Sequence, residues 1–299
     1  MKTIAILGPT ASGKTALAIE LAQKYHAYIL SLDSLSIYQE IDIASAKPTL
    51  EERKDISHFG IDVLRPNEHF DVTMFFTLYE EAKKACVQDN TSLIIVGGTG
   101  FYLKSLMEGL SLKPEISPQI KESIHQHLRD LNATYRCIQE NDPTYAQKIA
   151  SSDRYRMEKW LEIFLATQQI PSTYLSQTKQ APLLEDVSLF EIDLPRDLLA
   201  KRIHERTQKM VSLGLIDEVF ALEKNYSRAP QCMKAIGIKE VLDYFDGKYT
   251  IPDLTERIAL NTIHLAKRQR TFNTSQFLEH PKGDTKYLFE TISQHFDAF

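Results

Sequence analysis

Residues Gly8 to Thr15 read Gly-Pro-Thr-Ala-Ser-Gly-Lys-Thr and follow directly on the apolar run Thr3-Ile-Ala-Ile-Leu7. No other stretch restricts the fold as much. The spacing G-x-x-x-x-G-K-[ST] suits the cradling of phosphate. Glycines let the chain turn tightly, backbone N–H groups converge on an anion, Lys14 adds a point charge, and the Thr15 hydroxyl can ligate Mg²⁺. Gly8, Pro9, Thr10, Ala11, Ser12, Gly13, Lys14 and Thr15 are thus the candidate phosphate contacts. The run before the loop is β-rich. After it, Ala16-Leu-Ala-Ile-Glu-Leu-Ala22 has apolar residues at helical spacing, so phosphate would rest on a helix N-terminus. The loop is also a nucleotide-binding, ATP-binding signature, and by itself it does not say which phosphate ester it holds.

The first third of the chain alternates strand and helix signals, which predicts an α/β fold with a P-loop NTPase-like parallel sheet. Strands are expected at Ile4–Leu7, Ala27–Leu32 and Ser92–Val96, with helices at Lys14–Lys24 and Met74–Val87. In such sheets ligands bind beyond the carboxyl ends of the strands. After the second strand stands Ser31-Leu-Asp33-Ser34, where Asp33 reads equally as an Asx turn or as a carboxylate facing the phosphate site. After the third come Gly97-Gly98-Thr99-Gly100, so glycine stands where many P-loop ATPases keep a Mg²⁺-binding aspartate.

From Leu112 to about Pro182 the pattern is helical, with helices expected at Gln119–Leu131, Thr144–Ile149 and Arg154–Thr167. The predicted organisation is therefore a first part of the core at residues 1–111, an inserted helical subdomain at 112–185, and core completion with C-terminal helices at 186–299. In that last part a strand is expected at Val187–Leu194, and helices at Arg196–Leu213, Ile216–Lys224, Lys239–Phe245 and Asp253–Arg270.

The chain has 299 residues, 43% of them hydrophobic, enough to fill a core. No apolar run approaches the roughly 20 residues of a membrane span, and Met1-Lys2 leads straight into the first strand, so a cytoplasmic, membrane-free protein is expected. Cys86, Cys137 and Cys232 lie far apart, without the spacing of a zinc site or a disulfide framework. A net charge of −5 gives no global attraction for nucleic acid, so any RNA grip must be local. Three cationic groups qualify: Arg154, Arg156 and Lys159; Arg202 and Arg206 on one helix face; and Arg257 with Lys267, Arg268 and Arg270. Solvated cations that complement a helix C-terminus give the same pattern.

Several motifs then follow in order: GPTASGKT at 8–15, S-x-D-S at 31–34, I-Y-x-x-x-D-I-x-x-A-K-P at 37–48, V-G-G-T-x-x-Y at 96–102, K-A-I-G-I-K at 234–239 and K-R-Q at 267–269. Together they resemble the bacterial tRNA dimethylallyltransferases over nearly the whole chain. The resemblance implies transfer of a dimethylallyl group from dimethylallyl diphosphate to N6 of adenosine 37, beside the anticodon of tRNAs that read codons beginning with U. It implies that the loop holds a diphosphate with Mg²⁺ on Thr15, and that Lys14 and Arg206 neutralise the departing pyrophosphate. Asp33 would accept the N6 proton, and Thr99 would line the channel where the substrates meet. Contacts to the tRNA anticodon stem-loop are implied for Asp33, Ser34, Leu35 and Ser36, for Tyr155, Arg156 and Lys159, for Lys234, Gly237 and Lys239, and for Lys267, Arg268, Gln269 and Arg270. A monomer is expected.

The chain departs from the family at Ile238, where tyrosine is usual, at Phe272, where tryptophan is usual, and at Ala44-Ser45 in place of Gly-Thr. An aliphatic Ile238 cannot stack on a base as an aromatic can. Without the resemblance, the residues leave open a small-molecule or nucleotide kinase that uses Asp33 as base toward a hydroxyl, or a nucleotide-gated RNA-binding module.

Overall fold

A computed structural model of the chain describes residues 1–298. The chain divides into two compact units, one formed by Met1–Ser105 with the chain from Leu184 onward, the other by Leu106–Leu183. The insert was expected at 112–185.

In the first unit Thr3–Leu7 (β1), Tyr28–Ser31 (β2), His58–Phe59 (β3), Leu93–Val96 (β4), Ser188–Ile192 (β5) and Lys282–Gly283 (β6) form one sheet in the order β3-β2-β4-β1-β5-β6. Every pairing is parallel. The apolar runs of β1 and β4 are buried along their whole length, as strands covered on both faces must be. Helix Lys14–Tyr25 lays Leu17, Leu21 and Ala22 on Ile4, Ile6 and Ile94, and helix Thr285–Asp297 adds Leu288 and Ile292 to the same core. Helix Arg196–Ser212 and the long helix Ile251–Gln276 share a second core of Leu199, Ile203, Ala259 and Ala266.

Register decides where the site falls. Ile6 of β1 pairs with Val96 of β4, and Val96 with Ser31 of β2. The three chains therefore leave the sheet side by side, at Gly8, Gly97 and Leu32. Since β2 and β4 lie on one side of β1 and β5 on the other, the crevice where ligands bind in open α/β sheets opens at the end of β1.

The second unit is helical, built from Pro118–His127, Leu131–Asn141, Pro143–Ala146, Arg154–Thr167 and Pro171–Gln177 around Ile124, Leu128, Ile138, Met157, Trp160 and Leu161. Trp160 is fully buried and donates from Nε1 to Asp142 at 3.2 Å. Asp142 also accepts from Ser172 N at 2.9 Å and Tyr145 N at 3.1 Å, so one buried carboxylate organises the join of three helices.

Some expected elements differ. The helix expected at Gln119–Leu131 ends at His127, because the Asp130 carboxylate takes the N–H of Ala133 and caps a new helix. The expected Thr144–Ile149 helix is one turn, Pro143–Ala146, and the expected Asp253–Arg270 helix runs from Ile251 to Gln276 behind a capping box at Thr250. Strands β3 and β6 have two residues each, too few to carry any alternation.

Candidate active site

The loop Gly8–Lys14 leads into helix Lys14–Tyr25. Lys14 is buried, and its Nζ donates to the Pro9 carbonyl at 2.7 Å, folding back over its own loop. Burial pushes its ammonium pKa down to about 7; Asp33 pulls the other way and Arg206 adds to the depression. The Ser12 hydroxyl is fully buried and has no hydrogen-bond partner. An unpaired buried donor beside a neutralisable lysine is costly unless an anion completes it.

Two arginines reach the loop from helix Arg196–Ser212. Arg206 donates to Thr10 Oγ1 at 3.3 Å and Arg202 to the Ser12 carbonyl at 3.2 Å. One helical turn separates them, which is why both meet the same loop. Burial lowers the pKa of Arg206 and Asp33 opposes this, so the lysine, the arginine and the aspartate share one field.

Asp33 lies just past β2. Its Oδ1 accepts from Leu35 N at 2.8 Å and Ser36 N at 3.0 Å, which leaves Oδ2 uncommitted. One oxygen of Asp33 forms the turn, and the residue lines the same cavity as the loop. Beside it Gly97 has no room for a side chain, since a Cβ there would stand 2.6 Å from the Leu32 carbonyl.

These residues open on one cavity of about 1460 Å³, lined among others by Thr10, Lys14, Thr15, Asp33, Arg202 and Arg206. Gly97 and Gly98 line it, and Thr99 follows them as a half-buried residue. Thr15 is exposed to the cavity. Among the described residues no group of three or more His, Cys, Asp or Glu could hold a metal ion. The hydroxyl of Thr15 and the nearby carboxylate are hard oxygen donors of the kind Mg²⁺ takes when phosphate and water complete its shell.

The far wall of the cavity carries residues that the motif spacing did not single out. Lys47 is buried and donates to the Tyr38 carbonyl at 2.9 Å while pairing with Asp42 at 2.6 Å and with Asp62. Arg53 holds the other oxygen of Asp62 at 3.0 Å. Against the burial that would raise it, these two cations keep the Asp62 carboxyl below the ordinary range. Glu218 closes the same segment, its carboxylate accepting from Asp42 N at 2.8 Å, Ile43 N at 2.7 Å and Ala44 N at 2.9 Å. In the sequence, only Asp42 and Lys47 among the charged residues of this wall fall within a motif, the run at 37–48; Arg53, Asp62 and Glu218 lie outside it.

The residues expected to meet RNA fall into different situations. Ser34, Tyr155, Arg156, Lys234, Lys239, Lys267 and Arg268 are exposed. Leu35 is half-buried and Ser36 buried. Arg156 reaches the Lys148 carbonyl at 2.9 Å and Asp153 at 3.5 Å; Lys159 pairs with Glu162 at 2.6 Å and lies over the Tyr155 ring. Arg270 is tied to Asp193 and to the Leu194 carbonyl. Gln269 accepts from Thr10 N at 2.8 Å, inside the cavity. Gly237 is buried at positive φ, with its N–H on Glu240 at 2.7 Å, and Ile238 is wholly buried, so it serves the core. Lys267 and Arg268 have no acidic partner among the described residues.

A glycine-rich loop that leads into a helix and gathers a buried lysine and two arginines, at the switch point of a parallel sheet, defines the P-loop class of α/β proteins. Within that class the match is specific: the profile of the family described as IPP transferase covers residues 36–276. The tRNA dimethylallyltransferase of Sulfurovum sp. (strain NBC37-1) is 52% identical over 295 residues, 98% of each chain. The tRNA delta(2)-isopentenylpyrophosphate transferase of Staphylococcus epidermidis superposes with a TM-score of 0.71 at 29% identity, covering 100% of this chain and 99% of its own. A eukaryotic dimethylallyltransferase acting on tRNA gives a TM-score of 0.78 at 26% identity, over 91% of this chain and 70% of that one. The chain belongs to the IPP transferase family, the tRNA dimethylallyltransferases.

Proposed function

We propose that this enzyme transfers the dimethylallyl group of dimethylallyl diphosphate to N6 of adenosine 37 in tRNAs that read codons beginning with U. The observation that carries the reading is the meeting of Lys14 and Arg206 with the free oxygen of Asp33 around one cavity, beside the loop that also holds the buried, unpaired Ser12 hydroxyl. The diphosphate lies in the loop from Thr10 to Thr15. Its negative charge restores the Lys14 ammonium, which burial alone disfavours. As the allylic C1–O bond breaks, its electron pair passes to pyrophosphate, and Lys14, Arg206 and the loop N–H groups stabilise that charge. The N6 lone pair forms the new N–C1 bond, and the N6 proton goes to Asp33 Oδ2. An aromatic amine is a weak nucleophile whose lone pair is delocalised, so proton removal during attack is what makes it react. Thr15 would hold Mg²⁺, which supplies further charge neutralisation on the diphosphate.

The adenine must leave its stack to reach Asp33, which calls for a grip on the RNA backbone. Exposed Lys267, Arg268, Lys234, Lys239 and Tyr155 support that role, together with Ser34. Arg270, Gly237 and Gln269 support it less directly, through the elements they hold. The three cysteines are free thiols, which supports action in the reducing cytoplasm, where the enzyme works as a monomer. Among the described residues no helix is long and apolar enough to cross a membrane. Incubation with labelled dimethylallyl diphosphate, Mg²⁺ and an anticodon stem-loop carrying adenosines at 36 to 38, followed by mass analysis, tests the reaction. A gain of one C₅H₈ unit on the central adenosine is expected, and an unmodified RNA overturns it.

A further inference from the structure

Gln269 stands on the long helix Ile251–Gln276, beside exposed Lys267 and Arg268, yet its side chain enters the cavity. Its Oε1 accepts the backbone N–H of Thr10, in the phosphate loop, at 2.8 Å. Its Nε2 lies against Gly98, where a Cβ would stand 2.4 Å away, so the turn after β4 carries a residue small enough to admit this amide. The carrier helix is anchored just beyond it: Arg270 binds Asp193 and the Leu194 carbonyl, and Asn273 donates to Glu191 at 2.9 Å. One glutamine thus joins the loops that follow β1 and β4 to a helix whose outer side carries two cations without an acidic partner among the described residues.

We propose that Gln269 is a positioning residue that couples RNA contact on this helix to diphosphate binding in the loop. The inference rests on the reading of Lys267 and Arg268 as RNA contacts. A glutamine has several rotatable bonds, and ordering it is an entropic cost. RNA phosphate on Lys267 and Arg268 restrains the helix turn and so meets that cost before the diphosphate arrives. The loop then receives its anion already braced at Thr10. The effect is positive cooperativity without any shared contact between the two ligands, and thermodynamic linkage makes it reciprocal.

Inorganic pyrophosphate is the probe, titrated by calorimetry into the full chain with and without the anticodon stem-loop. In the unaltered protein the RNA should tighten pyrophosphate at least about fivefold, and pyrophosphate should tighten the RNA by the same factor. Gln269→Met keeps the volume and loses the acceptor, so both ratios should fall to about one. Gln269→Glu keeps an acceptor for Thr10 N and should retain the ratio, while its charge weakens pyrophosphate in both conditions. An unaltered protein whose two affinities are independent overturns the proposal, as does RNA that weakens pyrophosphate, a ratio that survives in Gln269→Met, or a ratio that vanishes in Gln269→Glu. None of these readouts uses prenyl transfer. Failure of the coupling with normal transfer therefore leaves the proposed reaction standing.

Discussion

Asp33 divides its carboxylate between two roles. Oδ1 shapes the turn through Leu35 N and Ser36 N, and in the proposed reaction Oδ2 takes the N6 proton. Asp33→Asn can keep the turn and cannot act as a base. It should lower prenyl transfer by roughly 100-fold or more in single-turnover assays while tRNA still binds; a near-normal rate removes Asp33 from the chemistry. Lys14 provides a second test through pH. Its pKa of about 7 in the folded, ligand-free protein means that the cation the diphosphate needs is lost as pH rises through neutrality. Pyrophosphate should therefore bind more weakly at about pH 8 than at about pH 6, with uptake of a proton fraction, and Lys14→Met should flatten that dependence. The linked stability has the opposite slope: the unfolded chain holds the lysine proton that the folded one releases, so Lys14 makes folding more favourable from about pH 7 upward.

At the scale of elements, the parallel sheet and the loop-to-helix join were legible because long apolar runs and a fixed glycine-lysine spacing are local signals. The wall of the cavity was not. Glu218 lies in the first turn of helix Leu215–Tyr226, where its sequence context suggests only a favourable charge near the helix N-terminus. In the fold it takes three consecutive N–H groups of the segment after Asp33. Glu218→Ala should cost about 2 kcal/mol of stability, as expected when charge-assisted hydrogen bonds to a carboxylate are lost, and should raise the KM for RNA more than that for dimethylallyl diphosphate. Equal KM values in variant and parent would show that the segment holds its shape without the clamp. The residue at Ile238 is also explained at this scale, since it opens helix Ile238–Phe245 with its side chain wholly buried and spent on packing.

For the whole molecule, an acidic chain that binds RNA must do so through a minority of exposed cations. Most of the arginines and lysines that looked available in the sequence are engaged: Arg156, Lys159 and Arg270 all have partners, and Arg202 and Arg206 serve the loop. Arg268 has no acidic partner among the described residues. Arg268→Ala should weaken tRNA uniformly and reduce the slope of log affinity against log salt by about 1; an unchanged slope returns that arginine to plain solvation. The sequence alone determined that a phosphate loop sits between a buried strand and a helix, and ordered motifs placed the chain in its family, because these features depend on neighbours a few residues apart. Tertiary structure decided which cations are free, which oxygen of Asp33 remains open, and that Gln269 meets Thr10 rather than solvent. Those outcomes depend on strand register and helix docking, which bring together residues as far apart as 10 and 269, and no local spacing encodes that distance.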